Sequence, residues 1–283
     1  MIRQIAVIGT GTMGRGIAYL STLAGYDTVI HDADASALDA ARASVESSLR
    51  KQTEKGKVTQ DAAAAAMERL QTVADLEPAV RQADLIIEAV PEDLDLKKNL
   101  FSQADLFCAE ETILASNTSS ISISVLSGAV ERRDRFAGMH FFNPPHAMKL
   151  IEIVRGERTS DATIAEVRAV AEAMGKTPII VRDSPGFATS RLGVAIGLEA
   201  IRMLEEGVAS AEDIDRAMEL GYNHPMGPLR LTDLVGLDVR LGIAEYLANT
   251  LGPRFEPPEL LRQMVRDGKL GRKSGRGFYE WNE

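Results

Sequence analysis

Up to Arg182, the hydrophobic positions fall into short aliphatic and β-branched runs that alternate with longer stretches of helical periodicity. Runs of this length and composition are typical of strands. The predicted strands are Gln4 to Ile8, Thr28 to His31, Leu85 to Ala89, Thr112 to Ala115, Phe136 to His140, Leu150 to Val154 and Thr177 to Val181. Because strands that alternate with helices form parallel βαβ units, the pattern predicts an α/β fold with a mainly parallel sheet.

The stretch from Ala33 to Met67 departs from this alternation because it is long and rich in alanine and charged residues. It contains the helix-forming run Ala62 to Ala66, and its pattern breaks near Gly56. We therefore expect two antiparallel helices here, as a helical hairpin inserted into the first domain.

Strand patterns end at the segment Asp183 to Gly186, and helical periodicity continues beyond it. The predicted helical stretches are Phe187 to Glu206, Ala211 to Glu219 and Leu229 to Leu251. The sequence thus predicts two domains, residues 1–184 and an all-helical domain of residues 185–283. A helical domain of only about a hundred residues often gains burial by packing against a copy of itself, so we expect a homodimer.

Composition excludes several classes of partner. The 283 residues carry a formal net charge of −9, whereas nucleic-acid binding requires basic surface, so no nucleic-acid partner is expected. The single cysteine, Cys108, cannot form an internal disulfide, and no Cys and His residues have zinc-site spacing, so no metal is expected. The apolar run Ile5 to Ile8 is too short for a signal peptide or a membrane span, so we expect a cytoplasmic protein with no membrane partner.

A glycine-rich turn, GTGTMG, directly follows the first predicted strand and opens a helix. In Rossmann-type dinucleotide sites the first glycine permits the tight turn, the second admits the pyrophosphate, and the third lets the helix pack on the strand. The backbone N–H groups that begin the helix face the phosphates. The residues predicted to bind the cofactor phosphates are Gly9, Gly11, Thr12, Met13 and Gly14.

Asp32 ends the second predicted strand, about twenty residues beyond the glycines, where a carboxylate binds the ribose hydroxyls of a dinucleotide. The same charge repels a 2′-phosphate, so the sequence predicts NAD rather than NADP. The alternative is that Asp32 caps a helix or a turn, since aspartate is common after strands.

His140 ends the predicted strand that begins at Phe136, at the carboxyl edge where open parallel sheets bind ligands. Hydride removal from a secondary alcohol needs a base for the hydroxyl proton, and histidine suits that task near neutral pH. Twelve residues later, Glu152 interrupts the aliphatic strand Leu150 to Val154, where an unpaired carboxylate is costly. A carboxylate that accepts the imidazole N–H fixes the tautomer and stabilises the imidazolium. The alternative, equally open on the pattern alone, is a solvent-facing Glu152 on an edge strand and a His140 that is satisfied in the core.

The polar run Ser116 to Ser120 follows the predicted strand Thr112 to Ala115. Such runs are usually turns with a helix cap. Its place at the same sheet edge also suits ligand binding.

Seven motifs then identify a family. They are GTGTMGRGIA (Gly9 to Ala18), ASNTSS (Ala115 to Ser120), FAGMHFFNPP (Phe136 to Pro145), MKLIEIV (Met148 to Val154), DSPGF (Asp183 to Phe187), HPMGPL (His224 to Leu229) and GRKSGRGFYEW (Gly271 to Trp281). Over nearly its whole length the chain resembles the 3-hydroxyacyl-CoA dehydrogenases, especially the short bacterial 3-hydroxybutyryl-CoA dehydrogenases. The resemblance implies NAD-dependent oxidation of an (S)-3-hydroxyacyl-CoA, of short chain length, to the 3-ketoacyl-CoA, and the reverse reaction.

The resemblance also implies roles for single residues. It makes His140 the catalytic acid/base with Glu152 as its partner, and it gives Ser119 a hydrogen bond to the reacting oxygen of the substrate beside the nicotinamide. The further cofactor contacts that it implies are Glu92, Lys97, Asn143 and Lys273. For the two lysines, the alternative is a solvated surface charge.

The hairpin matches the family at Ser48 and Lys55, the positions that contact CoA. Arg50, Lys51 and Lys57 lie nearby in the sequence. An acidic protein thus has a local basic region, as an anionic CoA requires.

One position departs from the family pattern. Where the family has asparagine after Pro-Gly-Phe, this chain has Ser190, a shorter donor, so polarisation of the 3-oxygen rests more on Ser119 or on a water. Two alternatives stay open: a dehydrogenase of a free hydroxy acid or sugar acid, and a non-catalytic NAD-binding relative. The basic hairpin argues against the first, and the intact set His140, Glu152 and Ser119 argues against the second.

Overall fold

The computed structural model describes residues 1–281, and the chain forms two compact units. The first unit is Met1–Ser184, and the second begins at Pro185. Among the described residues, no helix is long and apolar enough to cross a membrane, and no group of His, Cys, Asp and Glu is arranged to hold a metal ion.

An eight-stranded sheet forms the centre of the first unit. The strands are β1 (Gln4–Ile8), β2 (Asp27–His31), β3 (Leu70–Val73), β4 (Leu85–Glu88), β5 (Ile113–Ser116), β6 (Phe136–Phe141), β7 (Leu150–Arg155) and β8 (Thr177–Arg182). Their order across the sheet is β3-β2-β1-β4-β5-β6-β7-β8. All seven predicted strands are present and the sheet is mainly parallel, so the predicted fold class is confirmed.

The eighth strand, β3, is missing from the sequence prediction. It has only four residues, of which Gln71 and Thr72 are polar, and it lies at the edge of the sheet beside β2. An edge strand with so little apolar surface lacks the continuous hydrophobic run that identifies a buried parallel strand.

Strands β6 and β7 form the single antiparallel pair among the ladders of the described sheet. Residues 142–149 connect them, and this connection is too short for the crossover of about a dozen residues that a parallel pair needs. The antiparallel register places His140 directly opposite Glu152.

Seven helices accompany the sheet in the first unit. They are α1 (Thr12–Leu23), α2 (Ala35–Glu54), α3 (Gln60–Glu68), α4 (Leu76–Val80), α5 (Leu94–Phe107), α6 (Ile123–Leu126) and α7 (Asp161–Ala173). Helices α2 and α3 are the predicted hairpin, and each begins at a side-chain cap, Asp34 on Ser36 N–H and Thr59 on Ala62 N–H. Gly56, with a φ of +68°, ends the first arm of the hairpin.

The second unit is helical throughout its longer elements, as predicted. Its helices are α8 (Thr189–Glu205), α9 (Ala211–Tyr222), α10 (Pro228–Val235), α11 (Leu237–Leu251) and α12 (Glu259–Arg266). The predicted helical stretch Leu229 to Leu251 is present as two helices, because Gly236 adopts a φ of +102° and separates α10 from α11. The short α12, preceded by Pro257 and Pro258, was not predicted.

Asp233 anchors the glycine-rich tail to this unit. Its carboxylate is 1% exposed and accepts hydrogen bonds from the backbone N–H of Phe278 and Tyr279, at 2.9 Å each, and from the indole N–H of Trp281 at 2.8 Å. A side chain at Gly277 would overlap the Asp233 carboxylate, so a glycine is required there. The tail is therefore fixed by one buried charge.

Replacing Asp233 with Asn will weaken three charge-assisted hydrogen bonds and direct an amide donor at other donors. We expect the free energy of unfolding of the second unit to fall by about 2 to 4 kcal/mol. Trp281 is the single tryptophan, so its fluorescence in a urea titration measures release of the tail. Asp267→Asn, at an exposed carboxylate, is the control, and an equal loss in both variants would contradict the anchoring role.

Candidate active site

The turn between β1 and α1 is shaped by its glycines. Gly9 has a φ of +108°, and a side chain there would lie 2.7 Å from the carbonyl oxygen of Ala89. A side chain at Gly14 would overlap the carbonyl oxygen of Gly9, whereas the space beside Gly11 is open. The turn is thus closed at its first and third glycines and open at the second, where a pyrophosphate approaches in Rossmann-type sites.

Asp32 lies where β2 ends, in the lining of a cleft of about 540 Å³ that also includes the glycine turn and Leu96. Its Oδ2 accepts hydrogen bonds from the backbone N–H and the hydroxyl of Thr10, at 2.7 and 2.6 Å, and its Oδ1 accepts one from Asp34 N–H at 3.0 Å. Burial opposes ionisation, but these hydrogen bonds outweigh it and lower the pKa of the Asp32 carboxyl. The two readings of Asp32 are compatible, since the carboxylate holds the turn and also lines the cleft.

His140 and Glu152 meet across the β6–β7 ladder. The distance between His140 Nδ1 and Glu152 Oε2 is 2.7 Å, and the two residues are 5% and 0% exposed. Glu152 lies on β7, which has strands on both sides, so the solvent-facing alternative does not apply. The buried carboxylate accepts the Nδ1 proton of His140, which fixes the tautomer and the orientation of the ring. The ring of Phe142 lies 4.5 Å from the imidazole, centroid to centroid.

Lys97 is buried, not a solvated surface charge as the alternative held. It is 1% exposed, and its ammonium lies 2.6 Å from Glu88 Oε1, 3.3 Å from Glu92 Oε2 and 3.2 Å from the carbonyl oxygen of Val90. Three oxygen acceptors of the protein thus surround the ammonium of Lys97. Whether Lys97 also contacts a cofactor stays a prediction.

Glu88, at the end of β4, is a site residue that the sequence analysis did not single out. It is 0% exposed and accepts hydrogen bonds from Lys97, from Ser116 Oγ at 2.6 Å and from Val90 N–H at 2.7 Å. Burial raises the pKa of the Glu88 carboxyl, and the Lys97 ammonium opposes that shift. The sequence did contain a signal for a buried carboxylate at Glu88, because Glu88 ends a run of aliphatic residues just as Glu152 interrupts one.

Glu92 connects this buried pair to the loop after β5. While Oε2 faces Lys97, Oε1 accepts hydrogen bonds from Thr118 Oγ1 at 2.5 Å, Ser119 N–H at 3.0 Å and Ser120 N–H at 3.2 Å. The hydroxyl of Ser119 makes no hydrogen bond within the described part of the chain. The loop is therefore held by its backbone, with the Ser119 hydroxyl available to a ligand.

The other predicted site residues lie in three places. Asn143 is exposed in the turn after β6, and Lys55 caps the carboxyl end of α2. Ser48 lies on α2, and its hydroxyl donates to the carbonyl oxygen of Ser44 at 2.9 Å. In the second unit, Ser190 is the second residue of α8, and Lys273 Nζ lies 2.5 Å from Asp238 Oδ2.

Two family models match the chain: "3-hydroxyacyl-CoA dehydrogenase, NAD binding domain" over residues 4–184, and "3-hydroxyacyl-CoA dehydrogenase, C-terminal domain" over residues 186–281. A probable 3-hydroxybutyryl-CoA dehydrogenase of Deinococcus radiodurans is 46% identical, over 98% of this chain and 100% of that protein. The 3-hydroxybutyryl-CoA dehydrogenase of Clostridioides difficile is 41% identical, over 99% and 100%. The crystal structure of (S)-3-hydroxybutyryl-CoA dehydrogenase PaaH1 from Ralstonia eutropha superposes with a TM-score of 0.96, at 43% identity over 100% of both chains.

Replacing Glu88 with Gln will leave the buried ammonium of Lys97 without its nearest counter-charge. We expect the free energy of unfolding of the first unit to fall by about 3 to 5 kcal/mol, as when one partner of a buried ion pair is removed. Urea titration followed by circular dichroism will measure the change.

The matched control is Glu77→Gln, which breaks the exposed ion pair with Arg81 on α4 and should change the stability by at most about 1 kcal/mol. The double variant Glu88→Gln/Lys97→Met removes both buried charges and should recover part of the loss. Equal losses of stability in Glu88→Gln and Glu77→Gln would contradict the prediction that Lys97 needs a buried counter-charge.

Proposed function

Because the chain belongs to the 3-hydroxyacyl-CoA dehydrogenase family, we propose that it catalyses the reversible NAD-dependent oxidation of (S)-3-hydroxyacyl-CoA to 3-ketoacyl-CoA. Short acyl chains, as in 3-hydroxybutyryl-CoA, are the proposed substrates. The observation that carries the proposal is the buried contact of 2.7 Å between His140 and Glu152 at the carboxyl edge of the sheet. It is the arrangement that a proton acceptor for an alcohol requires.

In the oxidative direction, neutral His140 accepts the proton of the 3-hydroxyl at Nε2, the nitrogen opposite the one that faces Glu152. NAD, when bound, accepts the hydride that leaves C3. Glu152 stabilises the imidazolium that forms, because its charge and its hydrogen bond both favour the protonated ring. In the reverse direction the imidazolium returns this proton to the 3-oxygen as the alcohol forms.

The Ser119 hydroxyl is the proposed donor to the 3-oxygen. Its loop donates four hydrogen bonds to Glu92, from two backbone N–H groups and from the hydroxyls of Thr118 and Ser120, so the donor is positioned before a substrate arrives. The family asparagine is replaced by Ser190, whose shorter side chain leaves room for a bridging water. We therefore assign most of the polarisation of the 3-oxygen to Ser119.

The cofactor proposal is NAD in the cleft beside the glycine turn. The open space at Gly11 and the lowered pKa of Asp32 fit a pyrophosphate and a ribose diol. An ionised Asp32 repels a 2′-phosphate, which favours NAD over NADP. Asn143 and Lys273 remain proposed contacts of the cofactor.

The CoA end of the substrate is assigned to the hairpin. Ser48 lies on α2 and Lys55 caps its carboxyl end, with Arg50, Lys51 and Lys57 around them. These cations provide the local positive charge that CoA phosphates need in a chain whose net charge is −9. A free hydroxy acid has no CoA phosphates, so its binding would not require this local positive charge.

Reduction of acetoacetyl-CoA by NADH tests the function and the dyad together. We expect His140→Gln to lower kcat by about 100-fold or more, because general acid/base catalysis typically contributes about 10² to 10⁴. Glu152→Gln keeps the shape but not the charge, so a strong loss is expected there as well. The double variant should be little worse than the worse single variant, because the two residues act as a unit.

Wild-type rates with NADPH, and with acetoacetate in place of its thioester, are the matched comparisons. Near-wild-type turnover by folded His140→Gln would place the proton transfer on another group. Faster reduction of acetoacetate than of acetoacetyl-CoA would favour the free-acid dehydrogenase, and equal efficiency with NADPH would refute the role of Asp32.

We also propose a homodimer formed through the second unit. Exposed apolar side chains recur one turn apart on α8, at Leu192 (63%) and Ile196 (40%), and on α10, at Leu231 (41%) and Leu234 (38%). Val239 on α11 adds a further exposed apolar group. An apolar surface of this kind on a small helical domain suits a second copy of the same domain.

Light scattering of the purified protein should give twice the chain mass at micromolar concentration. Leu192→Glu/Ile196→Glu should give the single mass, because charges at the centre of an apolar interface are strongly unfavourable. Leu106→Glu, at a 78% exposed leucine of α5, is the control and should stay dimeric. A monomeric wild type would refute the proposal.

A further inference from the structure

A second cavity in the first unit, of about 180 Å³, is lined by residues further along α1 than those that line the proposed cofactor cleft. The two lining sets have only Thr12 in common. Three segments form the cavity: α1, α2 and the loop that follows β6. The side chains that matter here are Arg15, Tyr19, Ser44, Ser48, Pro145 and His146.

Close packing against α1 fixes the loop that lines one side of this cavity. A side chain at Gly16 would lie 2.7 to 3.0 Å from the ring of Pro145, so only glycine lets the loop approach α1 this closely. Beside it, the ring of His146 packs edge-on against Tyr19, with centroids 6.3 Å apart. The loop that carries Pro145 and His146 is therefore held against α1 before any ligand binds.

Arg15 has no anionic partner in this unit. Its guanidinium makes no hydrogen bond or ion pair among the described residues, and its Nε is buried from solvent. Arginine is well suited to bind phosphate through several N–H donors, and a buried N–H without an acceptor is unfavourable. The cavity thus presents an unsatisfied cationic donor next to the hydroxyl groups of Ser44 and Ser48.

The position of the cavity indicates what binds there. Its loop wall follows directly on β6, which carries His140, and its opposite wall is α2. From Ser48, α2 continues for seven residues, about 10 Å along the helix axis, to Lys55. The cavity is thus lined by the loop that follows the strand of the proposed acid/base and by the helix that leads to the proposed CoA lysine.

We propose that Arg15 binds the diphosphate of the CoA substrate in this cavity, with Ser44 and Ser48 as neutral neighbours. The inference rests on the proposed function, since it requires a CoA thioester as the substrate. It adds an anion-binding residue on α1 to the hairpin residues. A remote diphosphate contact is uniform binding, so it acts on KM and leaves kcat unchanged.

The test compares two thioesters, acetoacetyl-CoA and S-acetoacetyl-pantetheine, which lacks the nucleotide and its phosphates. For Arg15→Gln we expect KM for acetoacetyl-CoA to rise about tenfold or more, as for a lost charge-assisted hydrogen bond. KM for acetoacetyl-pantetheine, KM for NADH and kcat should stay within about twofold. Binding of free CoA, measured by calorimetry, should weaken by the same factor without any turnover.

Arg3→Gln is the matched control, because it removes one exposed positive charge before β1 and leaves the cavity unchanged. Arg15→Lys keeps the charge without the planar guanidinium, and its KM should lie between those of the wild type and Arg15→Gln. Thermal unfolding of each variant shows whether it is folded.

Equal rises of KM for both thioesters, a rise confined to NADH, or unchanged CoA binding would each overturn the inference. The proposed function fails separately, if the wild type reduces neither thioester. If the wild type reduces acetoacetyl-CoA and Arg15→Gln has the same KM as the wild type, only the role of Arg15 is refuted.

Discussion

Two carboxylates buried inside the sheet determine which polar side chains must lie at its carboxyl edge. Glu88 and Glu152 are each 0% exposed, and each lies in a strand of mainly aliphatic residues. A buried carboxylate without a partner is strongly unfavourable, so each holds a cation or a donor within hydrogen-bonding distance. For Glu152 this partner is His140, and for Glu88 it is Lys97. The Glu152 pair orients the candidate acid/base. The Glu88 pair is connected through the carboxylate of Glu92 to the loop that carries Ser119.

Strand register makes these contacts specific. The antiparallel β6–β7 ladder pairs His140 with Glu152, and the parallel β4–β5 ladder pairs Glu88 with Ser116. A slip of one residue in β7 would turn Glu152 to the opposite face of the sheet and leave a buried carboxylate without its imidazole. The register that buries the aliphatic side chains is therefore also the one that satisfies the polar groups. Folding and assembly of the candidate site depend on the same ladder.

What the sequence could predict follows from how local each signal is. Seven strands and the hairpin were predictable because the apolar runs of the strands, and the alanine-rich composition and the glycine break of the hairpin, lie within the segments themselves. Strand β3 and the break at Gly236 were not, since a polar edge strand and a single left-handed glycine leave little local trace. The burial of Lys97 depends on three acceptors in the segment from Glu88 to Glu92, and the turn that brings them to the ammonium is not visible in any periodicity. Glu88 carried the same signal as Glu152, but no histidine nearby in the sequence suggested a chemistry for it.

Helix α1 is common to both proposed ligand sites. Its first turn lines the proposed cofactor cleft, whereas Arg15 and Tyr19, further along the helix, line the second cavity. Gly14 packs against the β1 turn and Gly16 packs against Pro145, and neither position has room for a methyl group. These two close contacts restrict movement of the helix. At both proposed sites the wall formed by α1 is therefore in place before a ligand arrives, which favours binding by preorganisation rather than by movement of the helix.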